Sequence, residues 1–196
     1  MKMISVILFL MIFGIDSQES ILPKNEEGLI HFEGLVHVEN LNKDALFNNA
    51  INYVSPSNKK RNKSSKDLSI NPEKQVIQKK GNFFVYTQGL ITPQVHGEIT
   101  YNIYIQVFED GYKYTFTNFV FNYYQRNRYG RYARVSGKYK YLEEEKFAGM
   151  QKTWTNHKLY TKEFVESQIH QLKNKMSELP PGAKTAQNLE SESQSQ

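Results

Sequence analysis

From Ile30 the chain alternates strictly. Ile30, Phe32, Gly34, Val36 and Val38 fall on one side, and His31, Glu33, Leu35, His37 and Glu39 on the other. A period of two predicts a strand with one buried face. Asn40-Leu41-Asn42 then offers amide side chains suited to capping, and Lys43 to Val54 sets Leu46, Phe47, Ala50, Ile51 and Val54 at helical spacing. Pro56 ends this helix, because its ring cannot extend the hydrogen-bond ladder. Ser55 to Pro72 is rich in serine, asparagine and lysine, with little that is apolar beyond Leu68 and Ile70, and reads as a long loop.

Alternation then resumes. Gln75 to Thr87 reads as one strand kinked at Gly81, and Gly89 to Gly97, with Pro93, as a turn region. Ile99 to Phe108 turns Ile99, Tyr101, Ile103, Ile105 and Val107 inward, and Asp110-Gly111 predicts a tight hairpin turn with positive φ angles. The return strand, Tyr112 to Tyr123, first buries Tyr112, Tyr114 and Phe116, then Phe119 and Phe121. That change of phase predicts a bulge near Asn118. Tyr124 to Gly130 reads as a loop leading into a further strand from Tyr132 to Leu142, and Glu143-Glu144-Glu145 as a solvated turn or a helix start. Trp154 is placed before a last helix, Lys162 to Ser177, capped by Thr161 and carrying Val165, Ile169, Leu172 and Met176 on one face. The expected fold class is α+β: an antiparallel sheet of four to five strands with helices packed on one face. The domain spans residues 28–178, preceded by a flexible stretch at 18–27 and followed by a serine- and glutamine-rich disordered tail at 179–196.

The first residues carry a different pattern. Met1-Lys2-Met3 precedes an almost unbroken apolar run, Ile4 to Ile15, and then Asp16-Ser17-Gln18. A positive start followed by about 12 apolar residues describes a secretory signal rather than a membrane span, which needs about 20. Residues 1–17 are therefore expected to be removed after Ser17, and the product to be exported, either periplasmic or secreted, with no transmembrane span remaining.

Charge sharpens the picture. Without Lys2 and Asp16, the 25 basic and 20 acidic residues become 24 and 19. Asn58 to Lys66 holds five basic residues and no acid, and Tyr123 to Tyr141 holds six more, again without an acid. The rest of the mature chain is net acidic, so two basic segments sit on an acidic body. The second segment interleaves Arg126, Arg128, Arg131, Arg134, Lys138 and Lys140 with six tyrosines, Tyr129 and Tyr132 among them. Arginine pairs with phosphate or carboxylate, and tyrosine offers a flat surface for stacking. Such a strip also suits an edge strand, whose charges deter pairing with other sheets. As a docking surface, Arg126, Arg128, Tyr129, Arg131, Tyr132 and Arg134 would contact an anionic partner, an envelope lipid or an acidic glycan. On the sheet face away from the helices, polar residues punctuated by Tyr104 and Phe108 would suit a peptide or glycan. Nucleic acid is not expected as a partner of an exported chain.

The chain has no cysteine, which excludes disulfides, thiolate metal sites and thiol catalysis. Its five histidines show no ligand spacing, and His31 and His37, on one strand face, lie about 20 Å apart at strand rise. All five read as exposed, no metal or cofactor is expected, and no phosphate loop, nucleophile elbow or dinucleotide fingerprint occurs.

Several blocks resemble a known family. They are Phe32-Glu33-Gly34 in the first strand, Lys43-Asp44-Ala45-Leu46 with Ala50 and Tyr53 in the first helix, Lys80-Gly81, and Ile103-Tyr104-Ile105 with Asp110 to Phe119 in the hairpin. The family comprises secreted bacterial proteins carrying a domain of unknown function described as having a TATA-binding-protein-like fold. The resemblance runs from about Phe32 to Asn122. It implies an antiparallel sheet with helices on one face and implies no reaction. The expectation is thus an exported, non-enzymatic binding or structural module of the bacterial envelope. The alternatives are an envelope enzyme whose carboxylates meet only in three dimensions, and a nucleic-acid binder should the signal be retained.

Overall fold

The computed structural model describes residues 20–55, 67–89 and 92–179. The stretches read from the sequence as a signal (1–17), a basic loop (58–66) and, from 180 on, a tail lie outside the described residues. The elements run β1 (His31–His37), α1 (Lys43–Val54), β2 (Leu68–Asn71), β3 (Val76–Thr87), β4 (Gln94–Val107), β5 (Gly111–Arg126), β6 (Tyr132–Tyr141) and α2 (Gln151–Met176). All strand pairs are antiparallel, in the order β1-β5-β4-β3-β2, and β6 also pairs with β5. The 16-residue β5 is long enough to hold two partners end to end on one edge. Its first half pairs with β1 (Gly34 opposite Tyr114) and its second half with β6 (Asn122 opposite Tyr139).

One face of this sheet is covered and apolar. Ile99, Tyr101, Ile103, Ile105 and Val107 of β4 and Tyr112, Tyr114, Phe116, Phe119 and Phe121 of β5 are all buried, as their alternation predicts. The bulge falls at Asn118 (φ 59°), where two β5 residues, Asn118 and Phe119, oppose the single Tyr101 of β4. Both helices lie on this face. α1 inserts Leu46, Phe47, Ala50 and Val54, and Asn42 caps it by accepting the Ala45 N–H at 2.8 Å. α2 lays Phe164 against Phe83 (ring centroids 4.1 Å) and Trp154 against Phe121 (5.7 Å).

The structure corrects several expectations. The sheet has six strands, because β2 forms within the stretch read as loop. Four residues with only Leu68 and Ile70 apolar are too short to show a period, and pairing with β3 supplies what periodicity could not. The last helix starts at Gln151, eleven residues before Lys162, and Trp154 lies inside it. Two of its inward positions, His157 and Thr161, are polar and so interrupt the apolar stripe in the sequence. Thr161 is no cap: its hydroxyl is buried and donates to the His157 carbonyl at 2.7 Å. β3 runs through Gly81 unbroken, and its irregularity lies between Val85 and Tyr86.

The β4–β5 hairpin exists, but Glu109 and Asp110 form its tip inside a Phe108 N–H to Gly111 carbonyl bond of 2.8 Å, and neither Asp110 nor Gly111 has a positive φ. Gly111 is needed instead for close approach, since a Cβ there would stand 2.2 Å from the Val36 carbonyl oxygen of β1. Residues 20–27, read as part of a flexible stretch, join the fold: Leu22 is buried and Lys24 bridges to Ile30. No helix among the described residues is long and apolar enough to cross a membrane.

Candidate functional site on the open sheet face

The face away from the helices carries the alternate residues of each strand. Toward the end formed by β5 and β6, the register groups Phe84 with Glu98, Glu98 with Asn122, Tyr124 with Arg134, Asn122 with Tyr139 and Val120 with Tyr141. Aromatic rings dominate here. Phe84 meets Tyr124 edge-on at 5.4 Å, and Tyr139 meets Tyr141 edge-on at 5.7 Å, with Tyr139 57% and Tyr141 48% exposed. Polar contacts hold the rings at fixed angles. Tyr124 donates to Glu98 at 3.0 Å, Tyr132 donates to Gln94 at 3.3 Å, and the Arg126 guanidinium lies 5.8 Å over the Tyr132 ring. Arg134 donates to the Asn122 side-chain oxygen. Asn122 is itself fully buried, and its amide donates to the Glu98 and Val120 carbonyls. Burial, and then the bond to Glu98, raises the Tyr124 phenol above its ordinary value, so it stays a neutral donor.

The six residues named from the sequence separate into two groups. Arg126, Tyr132 and Arg134 stand on this face. Arg128, Tyr129 and Arg131 occupy the connecting hairpin, where the Asn127 side chain accepts the Tyr129 and Arg131 N–H groups at 2.9 and 3.0 Å and Arg128 lies 4.9 Å over the Tyr129 ring. None of the four arginines forms an ion pair among the described residues. Tyr104 and Phe108 are not part of this group. Tyr104 is half-buried in mid-sheet and accepts a bond from Gln78, while Phe108 sits at the opposite end, beside the β4–β5 turn.

Sequence reasoning missed Phe84 and Glu98, which join the tyrosines only through strand pairing. The available signal for Phe84 was its phase on β3, opposite to the buried Phe83 and Val85.

The histidines are also corrected. His31 pairs with Glu33 (3.2 Å) and His37 with Asp110 (3.5 Å) on the wet side. His157, however, is 2% exposed and hydrogen-bonded to His96 at 2.7 Å; its ring packs against Phe121 and Trp154, and that of His96 against Phe121 and Phe147. Burial lowers His96, and burial followed by the charge of His96 pushes His157 down to about 4. Among the described residues no three histidine, aspartate or glutamate side chains gather as metal ligands.

Comparison with known proteins supports the fold. The crystal structure of a TBP-like protein from Parabacteroides distasonis superposes with a TM-score of 0.56 at 17% identity, covering 82% of this chain and all of that one. A DUF4468 family protein from Bacteroides ovatus gives 0.51 at 11% identity, covering 79% of this chain and 91% of the other. No curated protein matches the chain. The family model aligns from β1 through most of β5 and ends at Asn122, before the hairpin arginines and β6. The chain therefore carries, across residues 32–122, a DUF4468 domain, a domain of unknown function with a TBP-like fold.

Proposed function

We propose that this protein is an exported, non-enzymatic binding module of the bacterial envelope, which docks an acidic polysaccharide on the β5–β6 end of its open sheet face. The observation that carries the reading is the set of four arginines without carboxylate partners among the described residues, beside the exposed rings of Tyr132, Tyr139 and Tyr141. Guanidinium groups without a carboxylate partner among the described residues are available to carboxylates of a ligand, and exposed aromatic rings can stack on sugar rings. Export follows from the pattern of residues 1–17, and it directs the arginines toward envelope polymers rather than nucleic acids.

The test is retention on immobilised polygalacturonate against neutral dextran. Retention on the acidic polymer should weaken sharply between low salt and about 0.5 M, where screening shortens the reach of surface charges to a few ångströms. It should also fall with Arg128→Gln/Arg131→Gln/Arg134→Gln and with Tyr139→Ser/Tyr141→Ser. Binding indifferent to salt and to both variants would reject the reading, as would preference for single-stranded DNA or for phosphatidylglycerol vesicles over the polysaccharide. Intact mass of the exported product should lack residues 1–17, and an exported product beginning at Met1 would contradict the cleavage.

A further inference from the structure

A second, separate feature lies between the segment Ser20–Lys24, the connection from β6 to α2, and the first turns of α2: a cleft of about 830 Å³. That volume is within the roughly 300–1,000 Å³ of small-molecule sites. Its floor is apolar, formed by Leu22, Ile30, Leu142 and Trp154, each 1% exposed or less. Its walls carry three cations, Lys24, Lys146 and Lys158, and one carboxylate, Glu145. Lys158 is half-buried, with its ammonium 5.8 Å from the Trp154 ring centre and no ion pair among the described residues. Among the described residues the ion pair of Lys24 is with Glu145, at 3.9 Å, and that carboxylate is largely in solvent. Burial, and next the nearby Lys24, lowers the Lys158 ammonium below its ordinary value, and Glu145 and Glu143 offset this only in part. Two like charges thus face one partly desolvated space over an apolar floor. Glu145, also in the lining, relieves this repulsion only in part, so a bound group that relieves the rest is negative and one that covers the floor is apolar.

We propose that this cleft binds an amphiphilic anion, a carboxylate or phosphate head on an apolar body, with the head between Lys24 and Lys158 and the body on the floor of Leu22, Leu142 and Trp154. The site is independent of the sheet face opposite.

Trp154 is the chain's one tryptophan, so its emission reports occupancy directly. The purified protein is titrated with dodecanoate and with dodecyl phosphate below their micellar concentrations, with dodecanol as the neutral control, and calorimetry is run in parallel. Saturable binding of either anion, with dodecanol about tenfold weaker or worse, is the expected result, and the stronger head group distinguishes a fatty-acid from a phosphate source. Lys158→Gln and Lys24→Gln should each weaken binding about tenfold, as loss of a charge-assisted contact does, with unchanged circular dichroism. Lys158→Arg should retain it, and Tyr139→Ser/Tyr141→Ser should leave it unaltered. Equal affinity for dodecanol, undiminished binding by both glutamine variants, or no saturable signal by either readout overturns the proposal.

Discussion

Acidification should unfold this protein earlier than its carboxylates alone would, because of one buried imidazole. In the folded state His157 packs against Phe121 and Trp154 and shares a single N–H···N bond with His96, so one ring donates and the other accepts. A second proton on the pair would leave two cations 2.7 Å apart in a dry site. Burial, with the charge of His96, brings His157 from 6.5 to about 4. Between those values the unfolded chain binds a proton that the folded chain refuses, so stability rises with pH across this window. The contribution is complete above about pH 6.5, is lost as pH falls, and is gone below about 4. At 1.36 kcal/mol per unit this amounts to about 3 kcal/mol, a large part of the 5–15 kcal/mol that holds a typical domain.

Urea unfolding followed by circular dichroism at pH 7.5, 6.5, 5.5 and 4.5 measures it, with the slope m checked for constancy. Most of the drop should appear above pH 4.5, before ordinary carboxylates titrate. His157→Gln keeps a polar group beside His96 but cannot take up the proton. It should be less stable at neutral pH and should fall much less between pH 6.5 and 4.5. A wild-type midpoint that is flat across that range, or a glutamine variant that falls as steeply as wild type, would refute the reasoning.

Two further substitutions test the fold. Gly111→Ala places a methyl 2.2 Å from the Val36 carbonyl, a backbone atom that cannot rotate away, so the β1–β5 pairing must shift. A loss of about 2 kcal/mol in urea is expected, and a loss under about 0.5 kcal/mol would mean β1 is not held there as described. Asn42→Ala removes the acceptor for the Ala45 N–H and should cost about 1 kcal/mol, whereas Asn42→Asp should keep the cap and add a favourable charge at the start of α1. Equal thermal midpoints for the alanine and aspartate variants would remove the cap from the account.

Local pattern was enough for whatever depends on a residue and its near neighbours. Alternation identifies β1, β4 and β5, the change of phase identifies the bulge at Asn118, and helical spacing with an amide cap identifies α1. The strip from Tyr123 to Tyr141 was likewise visible as charge and ring content, since composition needs no geometry. The rest waited on contacts between distant segments. β2 exists because β3 offers its edge, and the first three turns of α2 are concealed by buried His157 and Thr161, whose polar groups are satisfied by His96 and by a backbone carbonyl. Gly111 looks like a turn residue in the sequence and proves to be a point of strand contact. Phe84 and Glu98 join Tyr124 only through register, and the lysine-walled cleft draws on segments more than a hundred residues apart. Periodicity reports which side of its own element a residue occupies. Which residues from elsewhere share that side is decided by pairing and packing, and both candidate binding surfaces are made at that level.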